Sequence, residues 1–252
     1  MDTNKLVAQL YTVRDFTQTP EGVRKTFLKV KEIGYNAVQV SGFGPIDPYQ
    51  LKDLADEADV KIAATHVSYD RMKNDFDALV KEHKLWNCKY IGLGSMPSEY
   101  SKSYEGYEKF AEECSDIARK FTDAGLRFIY HNHNFEFEKF NGKTGLEILF
   151  EKTDPNVFDF EIDTYWIQAG GANPVKWIKK VDGRMDVIHF KDMAIKDRKQ
   201  VFAEIGEGNL DWPDIISACY KIGVKWYCVE QDICPGDPFE SLAISFRNLK
   251  EL

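Results

Sequence analysis

The residues best equipped for chemistry lie in Tyr130-His131-Asn132-His133-Asn134-Phe135-Glu136-Phe137, which follows the apolar run Leu126-Arg127-Phe128-Ile129. That run reads as a buried strand starting after Gly125. Alternate side chains of a strand share a face, so His131 and His133 are expected to point the same way, on the order of 6–7 Å apart at ~3.3 Å rise per residue. Two imidazoles so placed, with the Glu136 carboxylate just beyond, suit metal binding or proton transfer. As core filling they are a poor choice, because three polar groups would be desolvated together. For either ring alone, a hydrogen-bonded histidine in a barrel interior is the simpler alternative.

Positioning such groups takes a scaffold, and the chain supplies a regular one. Apolar strand-like runs occur at Leu6–Leu10, Asn36–Val40, Val60–Thr65, Cys88–Leu93, Leu126 onward, Val157–Ile162, Met185–Phe190 and Val224–Val229. Helical periodicity fills the gaps at 21–33, 47–58, 74–86, 101–124, 144–152, 174–181, 213–222 and 238–249, several of them opening on Pro and closing on Gly. Strands alternating with helices require a parallel sheet, and eight such units in 252 residues predict a (β/α)8 TIM barrel, one domain over residues 1–252. A doubly wound open sheet is the runner-up. Its first turn would carry a glycine-rich nucleotide fingerprint, whereas this one reads Tyr11-Thr12-Val13-Arg14-Asp15-Phe16.

In such barrels chemistry gathers at the carboxyl ends of the strands. The polar residues expected there are Gln9, His66, His131, His133, Asp163, His189, Lys191 and Glu230. Histidine and carboxylate ligands without cysteine suit a divalent cation such as manganese, cobalt, zinc or iron(II), with magnesium also open. Each residue has a plainer role available: Asp163 as a helix cap, Glu230 in an ion pair, His189 as a satisfied core histidine. Gly206-Glu207-Gly208-Asn209 reads as a flexible loop, either a lid or a turn before the next helix, and it lacks the Lys-Ser/Thr of a phosphate-cradling loop. His83, on a charged helix, is expected at the solvated surface. No G-x-S-x-G elbow supports a serine nucleophile. The letters H-N-H at 131–133 are too compact for the nuclease signature of that name.

The totals narrow the classes. With 43% hydrophobic residues the chain can bury a sizeable core, and 33 Lys+Arg against 41 Asp+Glu give a net charge of -8. That balance, without a basic patch, disfavours nucleic acid as a partner. Five scattered cysteines without a C-x-x-C pair suggest reduced thiols and a cytoplasmic location. No signal-peptide core opens the chain, and no apolar stretch approaches the ~18–20 residues that span a bilayer. A membrane partner is therefore not expected, while a homo-oligomer remains open.

As a set, several motifs resemble the xylose-isomerase-like barrels of the sugar phosphate isomerase/epimerase family. They are Gln9-Leu10-Tyr11-Thr12-Val13-Arg14, the 130–137 stretch, Asp163-Thr164-Tyr165-Trp166, His189-Phe190-Lys191-Asp192, Gly206-Glu207-Gly208-Asn209-Leu210-Asp211-Trp212 and Val229-Glu230-Gln231-Asp232. The resemblance runs along nearly the whole chain. It implies one divalent metal held by Glu, Asp, His and Glu on strands five to eight. The last three positions match Asp163, His189 and Glu230. At the first, where many members carry Glu, this chain has His131, with Glu136 as the alternative ligand. His133 matches a catalytic base of dehydratase relatives, and Trp166, where many relatives have His, resembles a sugar-stacking wall.

The chemistry so implied is proton removal next to a carbonyl through a metal-stabilised enediolate. His131, Asp163, His189 and Glu230 would hold the metal, and His133 or Glu230 would be the base. Glu136 and Lys191 would be proton partner or oxyanion contact, and Gln9, His66 and Trp166 would line the sugar site. The expected outcome is isomerisation, epimerisation or dehydration of a small carbohydrate: a sugar, keto-sugar or inositol-like polyol. A non-catalytic sugar-binding barrel is the alternative. An abasic-site endonuclease, sharing the barrel, is less favoured because it needs several zinc ions and more than the five histidines present.

Overall fold

A computed structural model describes residues 1–252. The eight expected strands form one parallel sheet: β1 Leu6–Gln9, β2 Ala37–Val40, β3 Lys61–His66, β4 Tyr90–Leu93, β5 Arg127–His131, β6 Phe158–Glu161, β7 Val187–Phe190 and β8 Trp226–Val229. Their hydrogen-bonded order is β6-β5-β4-β3-β2-β1-β8-β7. The ring closes between β6 and β7 through the bridge Asp163 to His189 and the bond from His189 N to Ile162 O. The seam of the barrel therefore lies at two of the residues expected to hold a metal.

Each strand is followed by a principal helix: α1 Pro20–Ile33, α2 Pro48–Glu57, α3 Phe76–Leu85, α4 Tyr104–Asp123, α5 Gly145–Lys152, α6 Pro174–Lys180, α7 Trp212–Ile222 and α8 Pro238–Glu251. Helix α1 shows why they form where they do. Thr19 caps it by accepting from Gly22 N, Pro20 opens it, and Val23, Phe27 and Val30 recur on the buried face. Gly34 ends it at φ 125°, with the Phe246 ring 2.5 Å from where a Cβ would stand, so only glycine fits.

The core is two-layered. The larger part lies between the strands and the helices, with Phe27, Tyr35, Phe110, Phe121, Phe128 and Phe158 all fully buried. Inside the barrel the apolar filling is thin: Val7, Ala37, Ala63, Ala64, Ile129, Val187 and Cys228, with the one larger ring of Tyr90. Above that thin plug, the next inward positions are polar.

Several local features depart from the sequence reading. The expected helix 74–86 starts at Phe76, after a break at Asp75 (φ -120°), and a further short helix, Tyr69–Asn74, precedes it. A second short helix, Thr164–Ala169, follows β6. An antiparallel hairpin, Asp192–Lys196 with Lys199–Ala203, stands over the carboxyl end of β7, turning through Asp197 and Arg198 at φ 50° and 64°. No helix is long and apolar enough to cross a membrane.

His83 is a correction. It is fully buried instead of solvated, with Nδ1 donating to Leu79 O (2.7 Å) and Nε2 meeting Thr65 Oγ1 at 2.8 Å. Leu79 and His83 are four apart and share the core-facing side of α3. Burial pushes the His83 pKa down to about 4. Between pH 6.5 and about 4 the unfolded chain thus takes up a proton that the folded chain refuses. Stability should fall through that window by up to about 3 kcal/mol. Denaturant midpoints across pH for the protein and for His83→Gln check this: the variant should lose that part of the slope, and identical slopes would contradict it.

Candidate metal and proton-transfer site

Inward positions on neighbouring strands alternate with outward ones, so polar residues two apart stack in layers. Along β6 and just beyond it, Asp159, Glu161 and Asp163 form such a column, all buried. Asp159 pairs with Arg127 near the amino end of the barrel, Nε to Oδ2 2.9 Å. Glu161 occupies the middle, and Asp163 reaches the rim.

At the rim the ligand atoms of His131, Asp163, His189 and Glu230 lie within 4.8 Å of one another, and all four residues are buried. His131 Nε2 is 3.2 Å from Asp163 Oδ2, and His189 Nδ1 is 2.8 Å from Glu230 Oε2. Asp163 also keeps its plainer role. Its Oδ1 accepts from Trp166 N at 2.9 Å, capping the short helix, while Oδ2 faces the cluster.

The imidazoles show what the cluster lacks. His131 meets an acceptor at both nitrogens: Gly94 O at Nδ1 (3.1 Å) and Asp163 Oδ2 at Nε2. A neutral ring has one proton to offer, and burial lowers the pKa of this ring, which disfavours the imidazolium. A cation at Nε2 resolves the conflict. His189 differs: its Nε2 faces Gln39 Oε1 (2.8 Å) and Glu161 Oε1 (3.2 Å) while Nδ1 faces Glu230. Burial opposes its charge, but Glu161 and Glu230 outweigh burial and raise its pKa to about 10, so a cation at Nδ1 would take the place of that ring's proton. Gln39 Nε2 donates to Glu161 Oε1 (2.8 Å), which fixes the amide so that its oxygen receives the His189 proton. Pinning one nitrogen by hydrogen bonding leaves the other free as a ligand, as metal-binding histidines usually require. The ligand atoms of His131, Asp163, His189 and Glu230 fit a divalent cation of intermediate hardness and could hold one.

A lysine shares this site. Lys191 Nζ lies 3.0 Å from Asp163 Oδ2, 2.8 Å from Glu230 Oε2 and 2.9 Å from Asp232 Oδ2, and the side chain is buried. Burial works against its charge, but Asp163, Glu230 and Asp232 outweigh burial and raise its pKa. Burial likewise opposes ionisation of Glu230, yet Lys191 and His189 hold it well below the usual carboxylate range. A carboxylate oxygen has a second lone pair, so an ammonium on Asp163 and Glu230 does not exhaust them.

His133 stands just past β5, its ring centroid 4.8 Å from that of His131 and 5.4 Å from that of Trp166. Its Nδ1 is buried without a partner, as is Trp166 Nε1. Burial, then the neighbouring His131 and Lys191, lower its pKa to about 3 and keep the ring neutral. Glu136 does not join the cluster. It is fully buried, accepting from Tyr130 OH (2.6 Å) and from His133 N (2.9 Å). Tyr130 precedes His131 and so faces the helices, and Glu136 goes with it. Glu136 therefore holds the backbone of His133, and the expectation that it stands beside the imidazoles as proton partner or substitute ligand is corrected.

A cavity of about 660 Å³ opens over the cluster, and His66, His131, His133, Glu230 and Asp232 are on its wall. His66 is joined to Glu161, Nε2 to Oε2 2.6 Å, and Gly92 leaves the space its ring needs, since a Cβ there would lie 2.8 Å from His66 Cδ2. Gln9 and Trp166, expected to line the site, are not on that wall. Gln9 is fully buried, its Oε1 accepting from Tyr11 N, and its Nε2 is unpartnered.

Sequence reasoning missed Glu161, Gln39 and Asp232. The alternation Asp159-x-Glu161-x-Asp163 within an apolar strand was the available signal for the first. Nothing in Ala37-Val38-Gln39-Val40 marks Gln39 beyond its type.

The Gly206 loop is a built turn. Asp192 is fully buried and accepts from Met193 N, Gly206 N, Gly208 N, Leu210 N and Trp212 Nε1 at 2.6–3.3 Å. A Cβ on Gly208 would lie 2.3 Å from Asp192 Oδ1, so glycine is required there. Asp192→Ala would orphan these donors and should cost about 3–5 kcal/mol, read as a lowered denaturant midpoint. An unchanged midpoint would show that solvent satisfies the loop.

Comparison with known proteins agrees with this architecture. A family model described as xylose isomerase-like TIM barrel matches residues 27–251. An inosose dehydratase of Bacillus anthracis is 24% identical over 245 residues, 82% of this chain and 82% of that protein. Inosose dehydratase 2 of Bacillus cereus is 25% identical over 154 residues, 54% of this chain and 51% of that protein, so the match spans about half of that relative. The crystal structure of a sugar phosphate isomerase/epimerase from Parabacteroides distasonis superposes with a TM-score of 0.81 at 22% identity, covering 98% of both chains.

Proposed function

The chain belongs to the xylose isomerase-like TIM barrel family, and on that premise we propose that it is a divalent-metal-dependent enzyme that removes a proton next to a carbonyl of a sugar, keto-sugar or inositol-like polyol. The observation that carries this reading is the convergence of His131, Asp163, His189 and Glu230 beside the unpartnered imidazole of His133. Isomerisation, epimerisation and dehydration share that first step. The names of the relatives support the carbohydrate class, and dehydration of a keto-inositol has the support of the inosose dehydratases.

When bound, the cation would supply stabilisation of the negative charge that develops on substrate oxygen. The chain's own residues do the rest. His133 takes the proton: its ring is neutral and on the cavity wall, and negative charge developing on a substrate oxygen beside it raises the basicity that burial depresses. Glu136 and Tyr130 hold the loop that aims it. Lys191, whose three N–H donors are taken by Asp163, Glu230 and Asp232, holds those carboxylates charged and in place beneath the cavity. His66, backed by Glu161, faces the same cavity and positions hydroxyls.

The test is exchange of solvent deuterium into a panel of keto-sugars and inosose by metal-loaded protein. Incorporation at the carbon next to the carbonyl is expected for at least one of them, and no exchange into any would contradict the reading. The Lys191 contacts favour a second reading, a non-catalytic sugar-binding barrel in which the ammonium alone neutralises the carboxylates. Such a barrel would bind carbohydrate and exchange nothing.

A further inference from the structure

We propose that the ligand of the rim cavity is an uncharged polyhydroxy compound and that the site rejects phosphorylated sugars. This rests on the carbohydrate reading above and narrows it. Phosphate recognition needs unpaired cations or a fan of free backbone amides. The wall of the 660 Å³ cavity has neither Arg nor Lys. It does carry Asp70, Glu99, Glu230 and Asp232, and neither Asp70 nor Glu99 has an ion-pair partner.

The cations nearby are already engaged. Lys191 is held by three carboxylates. Arg14 donates to Tyr11 O (2.8 Å) and Asp232 O (3.1 Å), and its guanidinium stacks on the Tyr11 ring at 4.3 Å. The short helix on this wall, Tyr69–Asn74, has its Arg71 amide capped by Ser68 Oγ. Even with a divalent cation beside Lys191, the positive charge is matched by Asp163, Glu230 and Asp232. Asp70 and Glu99 then remain in excess, and a phosphate dianion would meet net negative potential.

Hydroxyls suit the same wall well. The carboxylates of Asp70 and Glu99 accept from them, and the Ser41, Ser68 and Ser95 hydroxyls can both donate and accept. Such a surface discriminates by repulsion as much as by attraction.

Matched pairs that differ only by phosphate test this: myo-inositol against myo-inositol 1-phosphate, and D-fructose against D-fructose 6-phosphate, titrated calorimetrically into the metal-loaded protein. The neutral member of a pair is expected to bind at least tenfold more tightly. In Glu99→Lys the gap should narrow through a gain for the phosphorylated member. Equal or tighter binding of a phosphorylated member by the unmodified protein would overturn the inference while leaving the carbohydrate site intact. Binding of none of the four would overturn the carbohydrate site together with it.

Discussion

His133→Ala abolishes turnover while the protein keeps its full complement of divalent cation. A loss of 10²–10⁴-fold is expected for removal of a general base. The separation of the two readouts follows from the geometry. His133 stands beside the metal cluster, 4.8 Å ring to ring from His131, and is not among the four residues whose ligand atoms converge. Its Nδ1 has no protein partner, and its backbone is fixed by Glu136, so truncating the ring leaves the loop anchored. Steady-state rates on the substrate found by deuterium exchange, together with metal content per chain, decide the matter. Wild-type turnover in the variant would remove His133 from the mechanism.

Lys191→Met should have the second large effect, on stability as well as rate. The ammonium lies within 3.0 Å of Asp163, Glu230 and Asp232, and all of its charge is buried. Removing one partner of a buried charge network leaves the others uncompensated, which costs about 3–5 kcal/mol. In metal-free protein that loss should appear in full as a lowered denaturant midpoint. Adding a divalent cation should restore part of it, because the cation neutralises the same oxygens of Asp163 and Glu230. A variant as stable as the parent, or one that cations do not rescue, would mean that the carboxylates are not a shared site for ammonium and metal. Activity should fall by at least ~100-fold, since Asp163 and Glu230 lose the partner that positions them.

The barrel was legible because apolar runs and helical periodicity alternate eight times, and the strands fall inside their expected runs except β3, which runs one residue further to His66. The rim was legible for a related reason: strand ends in a parallel barrel converge, so eight polar residues could be grouped there, and the resemblance to the xylose-isomerase-like barrels picked His131, Asp163, His189 and Glu230 from among them. What stayed hidden depends on side-chain direction or on local caps. Glu136 is near His131 in sequence but follows Tyr130 to the opposite face. His83 is in a charged helix, yet its spacing from Leu79 turns it inward. The hairpin after β7 escaped because its turn is Asp197-Arg198 in place of the Asn-Gly or Asp-Gly that signals such turns. The helix Thr164–Ala169 is too short for periodicity and exists through its Asp163 cap.

Elemental analysis of the purified protein is the most direct measurement. About one equivalent of a divalent transition metal per chain is expected, lost in Asp163→Asn and retained in His133→Ala. Protein that carries no metal, and whose thermal midpoint does not rise with added manganese, cobalt, zinc or iron(II), would contradict the claim that these four side chains hold a cation.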